Sequence, residues 1–175
     1  FVSPPPPPDL GDNGGPGDPL AQSFFVSAID NPNGLFITKV RIYFETKDAT
    51  VPVQVQIRPM ENGIPQGNPI PNAIRSGGTD FEFEEPVYLT PGREFAIVIL
   101  AESVDYKVYV AKTYEFILGS TEARVSKQPT LGSLFMSQNG FTWTPDQDRD
   151  LMFQLYRADF STSGTAKFNN VDNIR

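Results

Sequence analysis

The chain contains no cysteine and no histidine in its 175 residues. The missing thiols exclude disulfides and cysteine-based zinc sites. The missing imidazoles exclude Ser-His-Asp and Cys-His nucleophile systems and histidine general bases. The chemistry that stays open uses carboxylates, lysine, tyrosine or a metal site of oxygen ligands. Most hydrolase mechanisms are therefore excluded, and we expect no catalytic residue and no cofactor.

Positive charge and long apolar runs are also scarce. The 14 Lys and Arg against 21 Asp and Glu give a net charge of −7, and the basic residues are scattered. A nucleic acid partner would need a basic stripe, so we expect none. No apolar run approaches the roughly 20 residues of a membrane span, so we expect no membrane insertion. The chain starts at Phe1 without a signal peptide, so we expect a piece or processed product of something longer.

The residues that are abundant favour an all-β fold. Seventeen prolines, 14 glycines and 14 phenylalanines interrupt helices and suit turns and pleated, half-buried surfaces. Apolar residues alternate with polar ones over residues 38–58 and 151–156, which is the period of a strand. The alternation predicts an inward-facing core of Val40, Ile42, Phe44, Val53, Val55, Ile57, Ile97, Phe153 and Leu155.

The spacing of about eight strand segments predicts a two-sheet antiparallel β-sandwich of jelly-roll type. Residues 95–100 are almost continuously apolar, so they should form a central strand covered on both faces. A long loop predicted over residues 59–79, rich in Pro and Gly, and the late Trp143 favour the jelly roll. An immunoglobulin-type sandwich is the alternative.

The two ends differ from the middle. Residues 1–19 hold five consecutive prolines, Pro4 to Pro8, followed by a glycine-rich stretch, which predicts a stiff arm on a flexible hinge. This arm either lies along a neighbouring subunit or serves as an interdomain linker. Residues 20–158 form the sandwich, and residues 159–175 form a polar tail or linker.

Two acidic groups invite a functional interpretation. Closely spaced carboxylates could serve glycoside hydrolysis or Ca²⁺ binding, and they occur at Glu82, Glu84 and Glu85 and at Asp146, Asp148 and Asp150. Strand alternation and the turn position make solvated surface charges the preferred interpretation, and neither group fits the EF-hand pattern. We therefore predict no metal site.

The outward residues of the alternating segments predict a contact surface. Amides, guanidinium groups and phenols recognise sugars or form wet protein interfaces. The residues would form one platform if their strands share a sheet, and they are Arg41, Tyr43, Gln54, Gln56, Arg58, Gln154 and Tyr156. Tyr109, outward between Val108 and Val110, and Trp143 are further candidates for stacking on a ligand, although a core or rim position is the preferred interpretation of Trp143.

An ordered series of segments carries a family resemblance. The segments are 18–24 (DPLAQSF), 36–44 (FITKVRIYF), 86–92 (PVYLTPG), 95–98 (FAIV), 139–144 (NGFTWT) and 150–156 (DLMFQLY). The series resembles a carbohydrate-binding-like jelly-roll module of secreted bacterial proteins and bacteriophage tail proteins. Two further segments, 53–60 (VQVQIRPM) and 127–135 (KQPTLGSLF), are similar to structural proteins of contractile-tailed phages.

The resemblance implies a noncatalytic virion structural module, from a tail, baseplate or fibre, that mediates assembly or surface contact. Its partners would be other virion proteins or copies of itself, and it would be located in the virion, or outside the cell if it is not viral. The alternative is a carbohydrate-binding module for adhesion to a cell-surface glycan. A glycan-active enzyme is a third and weaker hypothesis.

Overall fold

The computed structural model describes residues 18–112, 132–161 and 163–165. Within these ranges the chain folds into antiparallel strands and contains no helix. Most of the predicted arm and of the predicted tail lie outside the described residues. The strands are β1 Leu20–Val26, β2 Leu35–Ile42, β3 Phe44–Thr46, β4 Val53–Glu61, β5 Ile64–Pro65, β6 Ile74–Gly77, β7 Asp80–Leu89, β8 Arg93–Leu100, β9 Lys107–Val108, β10 Val110–Lys112, β11 Leu134–Met136, β12 Thr144–Asp146, β13 Arg149–Leu151 and β14 Phe153–Arg157.

The larger sheet has the strand order β12-β11-β1-β8-β4-β5, and β6 also pairs with β4. Strand β8 lies between β1 and β4, and its residues from Phe95 to Ile99 are all buried. The prediction of a central strand covered on both faces is confirmed. Its near-continuous apolar sequence is what two covered faces require.

The smaller sheet has the strand order β14-β2-β7. Two short strand pairs adjoin this sheet. Strand β3 directly follows β2 in the chain and pairs with β9, and β13 directly precedes β14 and pairs with β10. Every one of these pairings is antiparallel.

The main core lies between the two sheets and draws side chains from both, so the chain is an all-β sandwich. Six of the nine predicted core residues are fully buried, namely Val40, Ile42, Val53, Val55, Ile57 and Ile97. Phe44, Phe153 and Leu155 are half-buried and pack against this core. The jelly-roll arrangement itself stays a prediction.

Two local expectations differ from the structure. Strand β2 is not evenly alternating, because its register with β7 shifts between Ile37 and Lys39. The segment 59–79 is not one long loop, since β4 extends to Glu61 and β6 pairs with it through residues 74–77. The prolines of this segment do not prevent pairing because Ile70 and Ala73 supply backbone hydrogen bonds to and from Ile57.

Asp150 is a correction to the predicted acidic surface. Its side chain is fully buried, and its Oδ1 accepts a 3.0 Å hydrogen bond from Nε2 of Gln22, which is also fully buried. Gln22 Oε1 in turn accepts a 2.8 Å hydrogen bond from the backbone N–H of Leu151. A buried carboxyl needs such partners because an unsatisfied one is costly, so Asp150 stabilises the interior instead of facing solvent. Glu82, Glu84 and Glu85 are exposed as predicted.

The described part of the chain holds no helix that is both long and apolar enough to cross a lipid bilayer.

Candidate functional site

Three chain segments at one end of the smaller sheet meet in a closed triangle of backbone hydrogen bonds. The N–H of Tyr43 donates to the carbonyl of Met152 at 3.3 Å, the N–H of Met152 donates to Tyr109 at 2.9 Å, and the N–H of Tyr109 donates to Tyr43 at 2.9 Å. At this point the segment that contains β9 and β10 lies between the segment of β2 and β3 and the segment of β13 and β14. Beyond this point, β2 and β14 pair directly with each other. The triangle therefore joins three segments that are distant in sequence.

The side chains of the triangle emerge on the solvent side of the sandwich. Each lies between neighbours that contact the core, because Ile42 and Phe44 flank Tyr43, Val108 and Val110 flank Tyr109, and Leu151 and Phe153 flank Met152. Since successive side chains of a strand alternate between faces, Tyr43, Tyr109 and Met152 share the outer side. Met152 is exposed and the two tyrosines are half-exposed.

A charged cluster lies beside the triangle on the same face. The guanidinium of Arg41 binds both carboxylate oxygens of Asp80, with nitrogen–oxygen distances of 2.5 and 2.7 Å. Lys39 Nζ lies 4.2 Å from the ring centre of Tyr156, and the Arg41 guanidinium carbon lies 5.6 Å from it. The Tyr156 hydroxyl donates to Gln154 Oε1 at 2.9 Å. These contacts hold the side chains of β2 and β14 in fixed positions.

The ion pair shifts the protonation equilibrium of both partners. Hydrogen bonding to Asp80 raises the pKa of the Arg41 guanidinium, and hydrogen bonding to Arg41 lowers the pKa of the Asp80 carboxyl. Both groups therefore stay charged near neutral pH, which leaves neither as a proton donor or acceptor. No group of three or more Asp or Glu side chains in the described ranges is placed to hold a metal ion.

An aromatic cluster lies at the other end of this face. The rings of Phe36 and Tyr88, which are cross-strand partners in β2 and β7, have centroids 4.9 Å apart. The ring of Phe160 meets Phe36 edge-on, with centroids 5.0 Å apart and an interplanar angle of 84°. Phe160 is 61% exposed and Tyr88 is 43% exposed. Phe160, assigned to the tail from the sequence, therefore packs against the sandwich, and the contacts of the domain extend beyond residue 158.

We call this outward surface the smaller-sheet face. It is formed by Phe36, Lys39, Arg41, Tyr43, Asp80, Tyr88, Tyr109, Met152, Gln154, Tyr156 and Phe160. It includes five of the nine residues predicted as contacts, namely Arg41, Tyr43, Tyr109, Gln154 and Tyr156.

The prediction of a single platform is wrong for the other strand residues. Gln54, Gln56 and Arg58 lie on β4 in the larger sheet, so they cannot share a surface with β2 and β14. Arg58 is only 6% exposed, and burial lowers the pKa of its guanidinium. Its Nε donates to Gln56 Oε1 at 2.8 Å, and Gln56 Nε2 donates to Gln54 Oε1 at 2.6 Å. The three side chains form a polar row in which Gln56 and Arg58 are buried and Gln54 is half-buried.

Trp143 is buried in a second apolar cluster and is only 7% exposed. The cluster lies on the other face of the larger sheet and also contains Ala21, Ala96, Val98 and Phe135. Because the ring is covered, it offers no flat surface for a ligand, and the core interpretation of Trp143 is the correct one.

Several residues of the smaller-sheet face were not predicted as contacts. Only the pairing of β2 with β14 and with β7 places Lys39 beside Tyr156 and Asp80. Met152 joins the face only through its backbone hydrogen bonds with Tyr43 and Tyr109. Tyr88 alternates with the buried Val87 and Leu89, and this signal could have identified it.

Comparison with protein-family models, with curated proteins and with solved structures found no match to this chain.

Proposed function

We propose that this chain is a noncatalytic structural module of a larger protein assembly, of the kind found in virion tails, baseplates or fibres, and that the smaller-sheet face is its contact surface. The observation that supports this most is the composition of the face. Tyrosine, phenylalanine, methionine and arginine are the residues enriched in protein interfaces, and here they come together from β2, β7, β14 and the triangle. The ordered segments that resemble phage tail modules support the virion setting.

Glycan binding is the second candidate, because three tyrosines, Tyr43, Tyr109 and Tyr156, lie on one sheet face. Two contacts argue against it. One side of the Tyr156 ring faces Lys39 Nζ at 4.2 Å. The Arg41 guanidinium already donates two hydrogen bonds to the Asp80 carboxylate. A sugar would have to displace these internal partners, at a cost that its own hydrogen bonds barely offset. A protein partner can bury the same groups without separating them.

The test uses the parent assembly and measures how much of the chain is incorporated, by quantitative mass spectrometry of purified particles. Tyr109→Ala and Met152→Ser should lower incorporation, because both remove side chains at the centre of the face. Ile29→Ser is the control, because Ile29 is 92% exposed on the turn between β1 and β2. Equal incorporation of all variants would remove the face from the proposal.

Glycan binding is checked separately with a multivalent display of the chain on a glycan array, since multivalency makes weak single-site binding detectable. We expect no binding. Binding of the wild-type display that Tyr109→Ala abolishes would favour adhesion over assembly.

A further inference from the structure

The rings of Phe36, Tyr88 and Phe160 are in contact at one end of the smaller-sheet face, and we call this aromatic cluster the notch. Because Phe160 meets Phe36 edge-on at 84° while Tyr88 lies against Phe36 at 42°, the three rings present surfaces in different directions. Phe160 and Tyr88 keep 61% and 43% of their surface exposed. Contiguous exposed apolar surface of this kind is a feature of interaction sites.

Clusters of exposed aromatic rings bind polyproline helices in several classes of peptide-recognition domain. A polyproline helix has three residues per turn and no internal hydrogen bonds, so it presents proline rings and free carbonyl groups to a partner. Binding it costs little conformational entropy because the helix is already formed before binding. The chain carries a sequence whose composition favours this helix, the five consecutive prolines Pro4 to Pro8.

We propose that the notch of Phe36, Tyr88 and Phe160 binds the polyproline arm, Pro4 to Pro8, of a second copy of this chain. The proposal rests on the proposed function and names the partner at one end of the smaller-sheet face. Charge favours the pairing only through Arg157, because the exposed Asp30 and Asp159 are chain neighbours of Asn31 and Phe160. Residues 1–17 carry Asp9 and Asp12 and no basic residue, while Arg157 lies near the notch, where its exposed guanidinium donates to the neutral Asn31 Oδ1 at 3.1 Å.

The topology favours a second copy over the chain's own arm. The arm enters the sandwich at Leu20, the start of β1 in the larger sheet, whereas Phe36 follows the turn at the far end of β1. The seven residues of β1 span about 20 Å at about 3.4 Å per residue, and the two sheets add about 10 Å.

The hinge is barely long enough for that path. The nine residues 9–17 can span at most about 30–32 Å, the covalent limit of a fully extended chain. Reaching the notch of its own domain would need the hinge almost fully extended around the sandwich. A neighbouring copy needs no such extension, and reciprocal exchange of arms would close a dimer.

Sedimentation equilibrium of the full chain over a wide concentration range tests the exchange. The wild type should self-associate. The triple variant Pro5→Gly, Pro6→Gly, Pro7→Gly and the notch variant Phe160→Ala should each weaken association at least about tenfold, the effect of losing one well-packed anchor. Phe160 is mostly exposed, so its loss should leave the fold intact, which the unfolding midpoint checks. Ile29→Ser should associate like the wild type.

Because the chain has no cysteine, Ser3→Cys provides a unique attachment point for a spin label. Mixing spin-labelled chains with ¹⁵N-labelled chains should broaden the amide signals of Phe36, Tyr88 and Phe160. Broadening only when both labels are on one chain would mean docking within a copy and would overturn the proposal. A monomeric wild type, or association that the proline variant leaves unchanged, would overturn it too.

These outcomes separate the two proposals. If the proline variant associates normally while Tyr109→Ala still lowers incorporation into the parent assembly, only the arm proposal fails. If Tyr109→Ala and Phe160→Ala both leave incorporation and association unchanged, the smaller-sheet face is not a contact surface and both fail.

Discussion

Gln22 Nε2 donates a 3.0 Å hydrogen bond to Asp150 Oδ1, linking β1 of the larger sheet to β13, which pairs with β10 beside the smaller sheet. Both side chains are completely buried. The amide also accepts from the Leu151 backbone, so a single glutamine joins the two layers at two atoms. Polar links of this kind inside an apolar core favour one alignment of the sheets over others.

The Gln22→Leu variant should lose about 2–3 kcal/mol of the free energy of unfolding. Leucine has a similar volume, but it leaves the Asp150 carboxyl and the Leu151 N–H without their amide partner. Urea unfolding followed by tryptophan fluorescence measures the change. Gln138→Leu, at an exposed position, is the control and should change stability by less than about 0.5 kcal/mol. Equal stability of both variants would mean that Gln22 contributes only packing.

Phe81→Ala and Phe153→Ala compare a fully buried ring with a half-buried one. Phe81 has no exposed surface, and Phe153 packs against the core from its margin. We expect a loss of about 3–5 kcal/mol for Phe81→Ala and roughly half of that for Phe153→Ala, because the cavity at the margin can fill with water or collapse. Urea unfolding of the two variants checks the order, and the reverse order would contradict the burial of these rings.

The stability of the chain should fall at acid pH partly because of Asp48. Hydrogen bonds from the Ser103 hydroxyl, from the backbone N–H groups of Val51 and Thr50 and from the Thr50 hydroxyl hold the pKa of Asp48 well below its usual value. The unfolded chain therefore binds this proton at a higher pH than the folded chain. The stabilisation is complete above the ordinary carboxyl pKa, about 4, and is lost as pH falls through the folded value.

Urea unfolding between pH 7 and pH 2 measures this dependence for the wild type and for Asp48→Asn, whose slope below about pH 4 should be shallower. Asp80, whose pKa is lowered by Arg41, titrates in the same direction and keeps part of the slope. Asp30→Asn, on the exposed turn between β1 and β2, is the control. A slope for Asp48→Asn equal to that of the wild type would show that the four hydrogen bonds do not favour the ionised form.

Gly34 and Gly63 form a matched pair for testing close packing under Tyr88. Both adopt positive φ, +77° and +78°. A Cβ at Gly34 would lie 2.4 Å from the Leu89 carbonyl oxygen and 2.6 Å from Tyr88 Cε2, whereas a Cβ at Gly63 meets nothing within 4 Å. Gly63→Ala should cost about 1–2 kcal/mol from the left-handed conformation alone.

Gly34→Ala should cost clearly more than Gly63→Ala, because the backbone carbonyl of Leu89 cannot move aside. It should also shift the Tyr88 ring and so weaken self-association through the notch. Thermal unfolding and sedimentation measure the two effects, and equal unfolding midpoints for the two variants would contradict the close approach.

Local patterns predicted the strands better than the surface they build. The alternation of Val53, Val55 and Ile57 and the continuous apolar run of β8 follow directly from which faces are covered, and both are confirmed. Alternation also predicted that Arg58 and Ile57 point to opposite faces of β4. It could not show that a second apolar cluster lies on the face of the larger sheet to which Arg58 points. The period of a strand identifies two faces without showing whether either is exposed.

The contact surface was harder to predict because it depends on long-range pairing. An unbroken alternation would put Phe36 on the inner side with Val40, and the register shift between Ile37 and Lys39 turns it outward beside Tyr88. Tyr109 reaches Tyr43 only because β9 and β10 enter between two other strands. Neither the register shift in β2 nor the position of β9 and β10 between the other segments can be recognised from the pattern of a few consecutive residues.

The backbone triangle of Tyr43, Tyr109 and Met152 limits how this chain can change in length. Inserting or deleting one residue beside any corner would reverse the direction of every side chain beyond it in that strand. The same change would break hydrogen bonds to the other two strands, because each corner donates to one neighbour and accepts from the other. We therefore expect length changes mainly in the connecting loops, and expect the three segments to vary in side chain more readily than in spacing.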